Sequence, residues 1–332
     1  MVEPVKTVSP SPPAAGGAKT PIMSVPKLTP STPPTQALTP SASKPVVLKG
    51  PPPFSLERTS TAGSRWLKLM VYGMPGAGKT TLLGSAADVE DMRDILYVDC
   101  EKGFLAIEDN DRIKNPIFVA ENRISCTKFK TAAQVHDFLK AHCKYRDENN
   151  IDKMREVEAW LRGCSIDEIE EPKRFRTVMI DSLTELDTYC TYDILGVTQE
   201  KVLDEAGGDI DVAGWPEFRK NNQMMQMLCR AFRDLPIHFI ASAGRAYAED
   251  EKKRRYYAPA LTGALRTQIP GFFDIVGFMQ IEKVGENHER RLYVKPVGST
   301  NFEAKNRRPV FKPDYFKDPV MADIMQGIGL LK

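Results

Sequence analysis

The sequence predicts an α/β fold in which a mainly parallel central sheet is flanked by helices, with a β-hairpin added near the C-terminal end. Three observations support this prediction. Short apolar runs of strand length alternate with amphipathic runs of helical period, as in parallel sheets with helical crossovers. A glycine-rich turn at 73–78 separates the first apolar run from a helix-forming segment. Near the end of the chain, two runs of alternating polar and apolar residues flank 285–287, which indicates a hairpin.

The predicted elements of the core follow one another in a regular order. Strands are expected at 67–72, 95–99, 124–129, 177–180 and 237–242, and two hairpin strands are expected at 275–282 and 290–297. Helices are expected at 80–87, 131–144 and 216–235, and Pro236 ends the last of them because it cannot continue a helix.

Composition divides the chain into three parts. Residues 1–55 hold 14 of the 25 prolines, five lysines and a single acid, so we expect a disordered Pro/Ser/Thr-rich tail. Such a tail either recruits a protein partner or only keeps the chain soluble, and the second alternative is favoured. Residues 56–310 form the predicted core, with a charged helical insertion at 146–174, and residues 311–332 form a C-terminal extension.

Charge, cysteine content and hydropathy argue against a generally basic nucleic-acid-binding protein, a disulfide-rich secreted protein and a membrane-spanning protein. The net charge is +2 and the excess lies in the tail, so any contact with nucleic acid must come from a local basic patch. The six cysteines form no CxxC pair, which is typical of reduced thiols in a cytoplasmic protein. The chain lacks a basic start followed by an apolar run, and it lacks a run of about eighteen apolar residues, so neither a signal peptide nor a membrane span is expected.

The strongest local signal is a phosphate-binding loop (the P-loop, residues 73–80), which matches GxxxxGK[ST] between a strand and a helix. Its glycines let backbone N–H groups turn towards phosphate oxygens, next to the positive end of the following helix. Lys79 supplies a positive charge to the β- and γ-phosphates of ATP, and the Thr80 hydroxyl is a ligand for Mg²⁺. The predicted nucleotide-binding residues are Gly73, Met74, Pro75, Gly76, Ala77, Gly78, Lys79, Thr80 and Thr81.

A second acid is expected at the end of another buried strand, and Asp181 follows the run 177–180. It is the predicted Walker B residue, which orients a water bound to Mg²⁺, although an acid at a strand end can also cap a turn or a helix. Because Ser182 follows it, the catalytic base must come from elsewhere. Glu101, just beyond the strand 95–99, is the predicted base, and Glu185 is the reserve.

These residues resemble the RecA-type strand-exchange ATPases. In that family a P-loop is followed by a strand that ends in Asp-x-Glu, whose glutamate is the catalytic base, and by a Walker B strand that ends in Asp-Ser. Here Asp99-Cys100-Glu101 and Asp181-Ser182 follow the P-loop in that order. The resemblance implies a RecA-like P-loop ATPase that uses ATP and Mg²⁺.

More closely, residues 64–310 resemble the RecA-like, AAA-type ATP-binding proteins of many bacteriophages, some of which are single-strand annealing recombinases. The resemblance lies in Gly214-Trp215 before the long helix, in segments 259–263 and 269–274, and in residues 304–307. It implies action on single-stranded DNA in recombination or replication, self-association, and the host cytoplasm as the location.

Two departures from the RecA pattern are visible. In RecA, a glutamine at the end of the strand after Walker B senses the γ-phosphate, whereas the strand here ends at Ser242, which is at best a substitute. The helical N-terminal oligomerisation domain of recombinases is replaced by the Pro-rich tail, so filament formation cannot simply be carried over.

Two loops face DNA in RecA-like recombinases, and only the second fits that role here, because the first, at 196–213, is acidic. The second loop contains four adjacent cations followed by two aromatics: Lys252, Lys253, Arg254, Arg255, Tyr256 and Tyr257. Cations that follow phosphates and aromatics that stack on bases are the chemistry of single-strand binding. Three acids at 249–251 leave open the alternative of a solvated loop whose charges compensate one another.

Lys305 and Arg307 are predicted to reach the ATP of an adjacent subunit and to stabilise charge on its γ-phosphate; the alternative is ordinary surface charge. The leading hypothesis is a RecA-like ATPase that acts on single-stranded DNA. Its rivals are an ATPase that loads or remodels protein partners without binding DNA, and a small-molecule kinase, which is disfavoured because no second substrate site is evident.

Overall fold

The structure is a computed structural model, and it describes residues 65–197, 213–249, 252–296, 301–308 and 313–331. The predicted Pro-rich tail, most of the acidic loop at 196–213, and the end of the second hairpin strand lie outside the described residues.

The described part of the chain forms strands and helices in alternation over most of its length. The strands are β1 (Lys68–Gly73), β2 (Ile95–Asp99), β3 (Arg123–Ser125), β4 (Thr177–Asp181), β5 (His238–Ala243), β6 (Arg245–Glu249), β7 (Arg255–Pro259), β8 (Ile275–Val284), β9 (Asn287–Tyr293), β10 (Lys305–Asn306) and β11 (Tyr315–Lys317). The helices are α1 (Lys79–Gly84), α2 (Leu105–Glu108), α3 (Ile117–Ala120), α4 (Phe129–Asp147), α5 (Ile151–Arg162), α6 (Leu183–Leu195), α7 (Trp215–Asp234), α8 (Leu265–Gln268) and α9 (Met321–Gly327). Short 3₁₀ turns lie at Ser85–Asp88, Glu90–Met92, Ile166–Glu168 and Ile269–Phe272.

Within the described residues, the central sheet has the order β11-β9-β8-β1-β5-β4-β2-β3, with β10 paired to β8. The pairs from β8 to β3 are parallel, whereas β9, β10 and β11 join as antiparallel strands. The predicted α/β fold with a mainly parallel sheet and an antiparallel hairpin is confirmed.

The sheet is buried on both faces, which explains why its central strands are continuous apolar runs. Every residue of β1, β2, β4 and β5 is buried. On one face, α4, α6 and α7 cover a core that includes Phe138, Leu186 and Phe232. On the other face, α1 and α9 cover a second core that includes Leu83 and Met325.

The C-terminal segment packs against this second face. β11 pairs with β9, and α9 places Met321, Ile324 and Met325 in the second core. The Met321 N–H donates to Ser85 Oγ at 2.8 Å, so the start of α9 is bonded to the turn that follows α1. Among the described residues, no helix is both long enough and apolar enough to cross a bilayer.

A second sheet of two strands was not predicted from the sequence. β6 and β7 pair antiparallel, with Tyr247 opposite Tyr257 and Glu249 opposite Arg255. The alternation in these strands is weak, because most of their side chains are exposed or half-buried, and this is why the pattern was missed. We call β6, β7 and the described residues 252–254 between them the basic hairpin.

Candidate nucleotide-binding site

The P-loop begins at the end of β1, where Gly73 lies opposite Met279 of β8. A Cβ atom at Gly73 would lie 2.2 Å from the carbonyl oxygen of Met279, so only glycine fits at this position. Gly76 and Gly78 have φ angles of 75° and 98°, in the left-handed region that glycine tolerates best. The two constraints, a close strand neighbour and a left-handed turn, therefore fix the shape that aims the loop amides at a phosphate.

Lys79 is buried at the first position of α1, and its ammonium group is held over the loop. It donates to the carbonyl oxygens of Gly73 at 3.3 Å and Met74 at 3.0 Å. Burial lowers the pKa of Lys79, and the negative charges of Glu101 and Asp181 oppose that change. A ligand with several negative charges, such as a triphosphate, would also raise the pKa of Lys79 and keep its ammonium group charged.

The predicted magnesium ligands lie side by side. Thr80 Oγ1 is 2.6 Å from Asp181 Oδ2, and the Asp181 carboxylate has no exposure to solvent. Burial raises the pKa of Asp181, while hydrogen bonds from Ser242 and Thr80 act in the opposite direction. A Cβ at Gly103 would lie 3.9 Å from both oxygens, so the glycine leaves space beside them. A hydroxyl and a buried carboxylate are the oxygen donors that fit Mg²⁺.

Ser242, the predicted substitute for a γ-phosphate sensor, contacts the carboxylate of Asp181. Its side chain is fully buried at the end of β5, and its hydroxyl donates to Asp181 Oδ1. The physical reason is that β5 lies between β1 and β4 and is paired with both, so a short side chain at its end meets the neighbouring strand. Ser242 therefore orients Asp181.

Glu101 stands next to Asp181 at the ends of two paired strands. The Cys100 and Glu101 N–H groups donate to the Asp181 carbonyl oxygen at 2.7 and 3.1 Å. The Ser182 hydroxyl donates to Glu101 Oε1, so the carboxylate is oriented as well as placed. Glu185 lies one turn further along α6, where partial burial and the charge of Glu101 raise its pKa.

The other acid of the Asp-x-Glu pattern has different surroundings. Asp99 is buried and accepts hydrogen bonds from Arg123 Nε at 2.8 Å and from the Gly103 N–H at 3.2 Å. It therefore holds the loop that carries Glu101, and both of its carboxylate oxygens are used by the protein. Sequence reasoning gave no role to Arg123, whose partner is 24 residues away.

Arg290, a residue of β9, also reaches the P-loop and was not anticipated. Its Cδ and Nε atoms lie 3.1 and 3.2 Å from the position that a Cβ at Gly78 would occupy. Its neighbour Arg291 forms ion pairs with Glu282 and Glu289, but within the described residues no acid pairs with the Arg290 side chain. No sequence signal points to it, because the contact depends on the register of the hairpin strands.

The residues proposed to contact DNA lie on the basic hairpin, beyond the end of β5. Lys252, Lys253, Arg254 and Arg255 are exposed, and Arg255 pairs with Glu249 at 3.1 Å. The ring of Tyr257 is stacked on Phe278, with centroids 5.5 Å apart, so its inner face is covered. Tyr256 is half-buried, and the exposed aromatic of this hairpin is Tyr247, which sequence reasoning did not single out.

Lys305 and Arg307 lie at the opposite edge of the sheet, because β10 pairs with the start of β8. The Lys305 ammonium donates to the carbonyl oxygens of Pro270, Gly271 and Phe273, which uses all three of its hydrogens. Arg307 is exposed and donates to the Gly271 carbonyl at 3.0 Å. Within one chain, neither residue is brought to the P-loop.

Comparisons with known proteins give one family match and a similarity to two solved structures. The sequence model of the AAA domain family matches residues 65–308, which is well over half of the chain. No curated protein matches it. Among solved structures, it is similar to the flagellar accessory protein FlaH from Methanocaldococcus jannaschii, at 11% identity and a TM-score of 0.37, over 76% of this chain and 85% of that one. It is also similar to the RadB recombinase, at 13% identity and a TM-score of 0.34, over 76% of this chain and 87% of that one.

Proposed function

Because this chain belongs to the AAA domain family, we propose that it binds ATP with Mg²⁺ at the P-loop and hydrolyses the ATP to ADP and phosphate. The single observation that carries this proposal is the 2.6 Å contact between Thr80 and Asp181, with Glu101 held beside them by Ser182. Three strand ends thus bring Lys79, the oxygens of Thr80 and Asp181, and the Glu101 carboxylate to one edge of the sheet, which supports these roles.

In this proposal each residue has one task. The loop amides and Lys79 bind the β- and γ-phosphates, and they stabilise the charge that develops during the reaction. Thr80 and Asp181 would hold Mg²⁺, which would supply positive charge to neutralise that of the phosphates. Glu101 accepts a proton from the attacking water as its oxygen bonds to the γ-phosphorus. The bond from that phosphorus to the bridging oxygen then breaks and leaves ADP.

The test is phosphate release from ATP by the full-length protein, with and without Mg²⁺ and with no acceptor molecule added. Release that requires Mg²⁺ supports an ATPase. Release that appears only when a small-molecule acceptor is supplied would favour the kinase alternative, and no release under any condition contradicts hydrolysis by the chain alone.

We also propose single-stranded DNA as the partner, in recombination or replication of the phage type. Two observations support this. Four exposed cations follow one another at the end of the basic hairpin. The hairpin is also joined to the nucleotide site, because the hydroxyl of Tyr72, next to Gly73, donates to the Tyr257 carbonyl oxygen at 3.0 Å. The hairpin begins three residues beyond Ser242, so the residue that orients Asp181 leads directly into it.

The corresponding experiment is a salt titration of binding to a labelled oligonucleotide, with and without ATP. Replacement of Lys252, Lys253, Arg254 and Arg255 by alanine should flatten the log–log salt dependence by roughly 0.7 for each phosphate that is no longer bound. The control is the double replacement of Lys140 and Lys144, two exposed cations of α4, which should leave the slope unchanged. If wild type does not bind the oligonucleotide, the loader or remodeller alternative is preferred.

A further inference from the structure

A large aromatic side chain stands exposed at the start of α7. Trp215 is 90% exposed, and Phe218, one turn further, is 38% exposed. Open cavities of about 670 and 560 Å³ flank the indole ring. An exposed tryptophan beside a second aromatic is uncommon on a protein surface without a ligand, because both lose favourable burial. We call Trp215, Phe218, Arg219 and Lys220 the Trp215 surface.

The chemistry of this surface selects the kind of ligand. The first cavity is lined by the two aromatics, by Arg219 and Lys220, and by the amides of Asn222 and Gln223, and no acid lines it among the described residues. The nearby Glu217 does not line this cavity, and its carboxylate accepts from the Gly214 N–H at 2.9 Å. Flat rings, cations and amides together fit a base-bearing polyanion. The Pro-rich tail is disfavoured as the occupant, because its five lysines and one acid give it a positive charge, like that of Arg219 and Lys220.

The surface is built on a rigid support. The second cavity has α7 on one side and residues 262–264 on the other. Asp187, a residue of α6, joins these two walls. One of its carboxylate oxygens accepts from Asn221 of α7 at 2.6 Å, and the other accepts from the Thr262 N–H at 2.7 Å.

The same surface is continuous with the basic hairpin. Two residues beyond Ala264, the guanidinium of Arg266 donates to the carbonyl oxygen of Tyr247 at 2.9 Å. Tyr247 is the exposed aromatic of the hairpin, at 62% exposure. α7 precedes β5 in the chain and runs back in the direction opposite to it. The start of α7 therefore lies at the edge of the sheet where β5 ends and the hairpin begins.

We propose that the Trp215 surface is a stacking site for bases of single-stranded DNA, and that it continues the track of the basic hairpin along this edge of the sheet. The inference rests on the proposed function, because it takes single-stranded DNA as the ligand. It adds a second contact, on a different element, which holds bases by stacking whereas the hairpin cations contact phosphates.

The experiment uses the fluorescence of the three tryptophans while the full-length protein is titrated with oligo-dT. Stacking should quench Trp215 emission in wild type and in Trp160→Phe, and most of the quenching should disappear in Trp215→Phe. Trp160 is the matched control, since it is 61% exposed but lies on α5. Trp215→Ala should weaken binding by about tenfold without changing the salt slope, whereas Arg219→Ala with Lys220→Ala should flatten that slope by roughly 1.4. The melting temperature of Trp215→Ala should stay at the wild-type value, because the ring buries little.

The outcomes separate this inference from the function on which it rests. If wild type binds oligo-dT through the hairpin cations, but Trp215→Phe keeps full quenching and Trp215→Ala binds within twofold of wild type, the Trp215 surface is not a stacking site. If wild type does not bind oligo-dT at all, both proposals are wrong.

Discussion

Replacement of Glu101 by glutamine tests the catalytic assignment most directly. The two side chains have the same shape, so Ser182 can still donate to an oxygen at this position, and the fold around it should not change. What is removed is the negative charge and the ability to accept a proton from water. General bases contribute about 10²–10⁴-fold, so we expect hydrolysis to slow by that factor, or by about 3–5 kcal/mol in the barrier.

The same substitution should leave ATP binding intact or make it slightly tighter. The charge of Glu101 raises the pKa values of both Asp181 and Glu185, which shows that it acts on the groups around the phosphate position. Its removal therefore takes away repulsion towards a bound polyanion. Binding can be measured by calorimetry with Mg-ATP, and hydrolysis by single-turnover phosphate release.

The control is Glu185→Gln, which removes the neighbouring carboxylate on α6 and should reduce the rate much less. If Glu101→Gln hydrolyses ATP at the wild-type rate while Glu185→Gln does not, the proton acceptor is Glu185. If both variants hydrolyse normally, neither carboxylate is the base.

The remaining predictions concern binding and stability. Lys79→Ala should abolish or strongly weaken ATP binding in calorimetry, and unchanged affinity in the folded variant would remove the P-loop from the proposed function. Gly73→Ala should destabilise the protein by several kcal/mol in urea unfolding, since a Cβ would overlap a carbonyl oxygen at 2.2 Å; an unchanged midpoint would contradict the strand spacing. Arg290→Ala should weaken ADP and ATP binding by the same factor, about tenfold, because Arg290 lies on the side of the P-loop away from Glu101 and Asp181; a selective effect on ATP would place it at the γ-phosphate instead. Burial lowers the pKa of His238 to about 3, so between that value and about 6.5 only the unfolded chain binds this proton, and stability should fall as pH drops through this window, by about 2 kcal/mol at pH 5. In urea unfolding at pH 7 and pH 5, His238→Gln should lose less stability between the two pH values than wild type does. An equal loss in both proteins would rule out His238 as the cause.

The sequence alone predicted the features that depend on residues close together along the chain. The P-loop pattern is eight residues long, and β2 and β4 are continuous apolar runs that end in acids, so their type and position follow from local composition. The alternation of such runs with helical segments then implied a parallel sheet. This is why the fold class was predicted correctly, although the third strand was predicted at 124–129 and lies at Arg123–Ser125, and several small strands and α9 were missed.

The tertiary structure decided which of those residues meet. Asp99 and Glu101 are only two residues apart, but pairing gives Asp99 to Arg123 and leaves Glu101 beside Asp181. Ser242 serves Asp181 because β5 lies between β1 and β4. Contacts of this kind join residues that are tens to hundreds of positions apart, and they are fixed by strand order and register.

The same reason explains why no contact or surface role was predicted from the sequence for Arg290 and Trp215. Arg290 reaches Gly78 only because β8 lies beside β1 and the hairpin brings β9 back across that edge. Trp215 could have been a buried core residue of an amphipathic helix, and only the packing of α7 leaves it exposed. Local composition thus determined the elements and the phosphate loop. The order of the strands determined which side chains surround that loop and which surface remains for a partner, because strand order is set by the burial of the whole sheet.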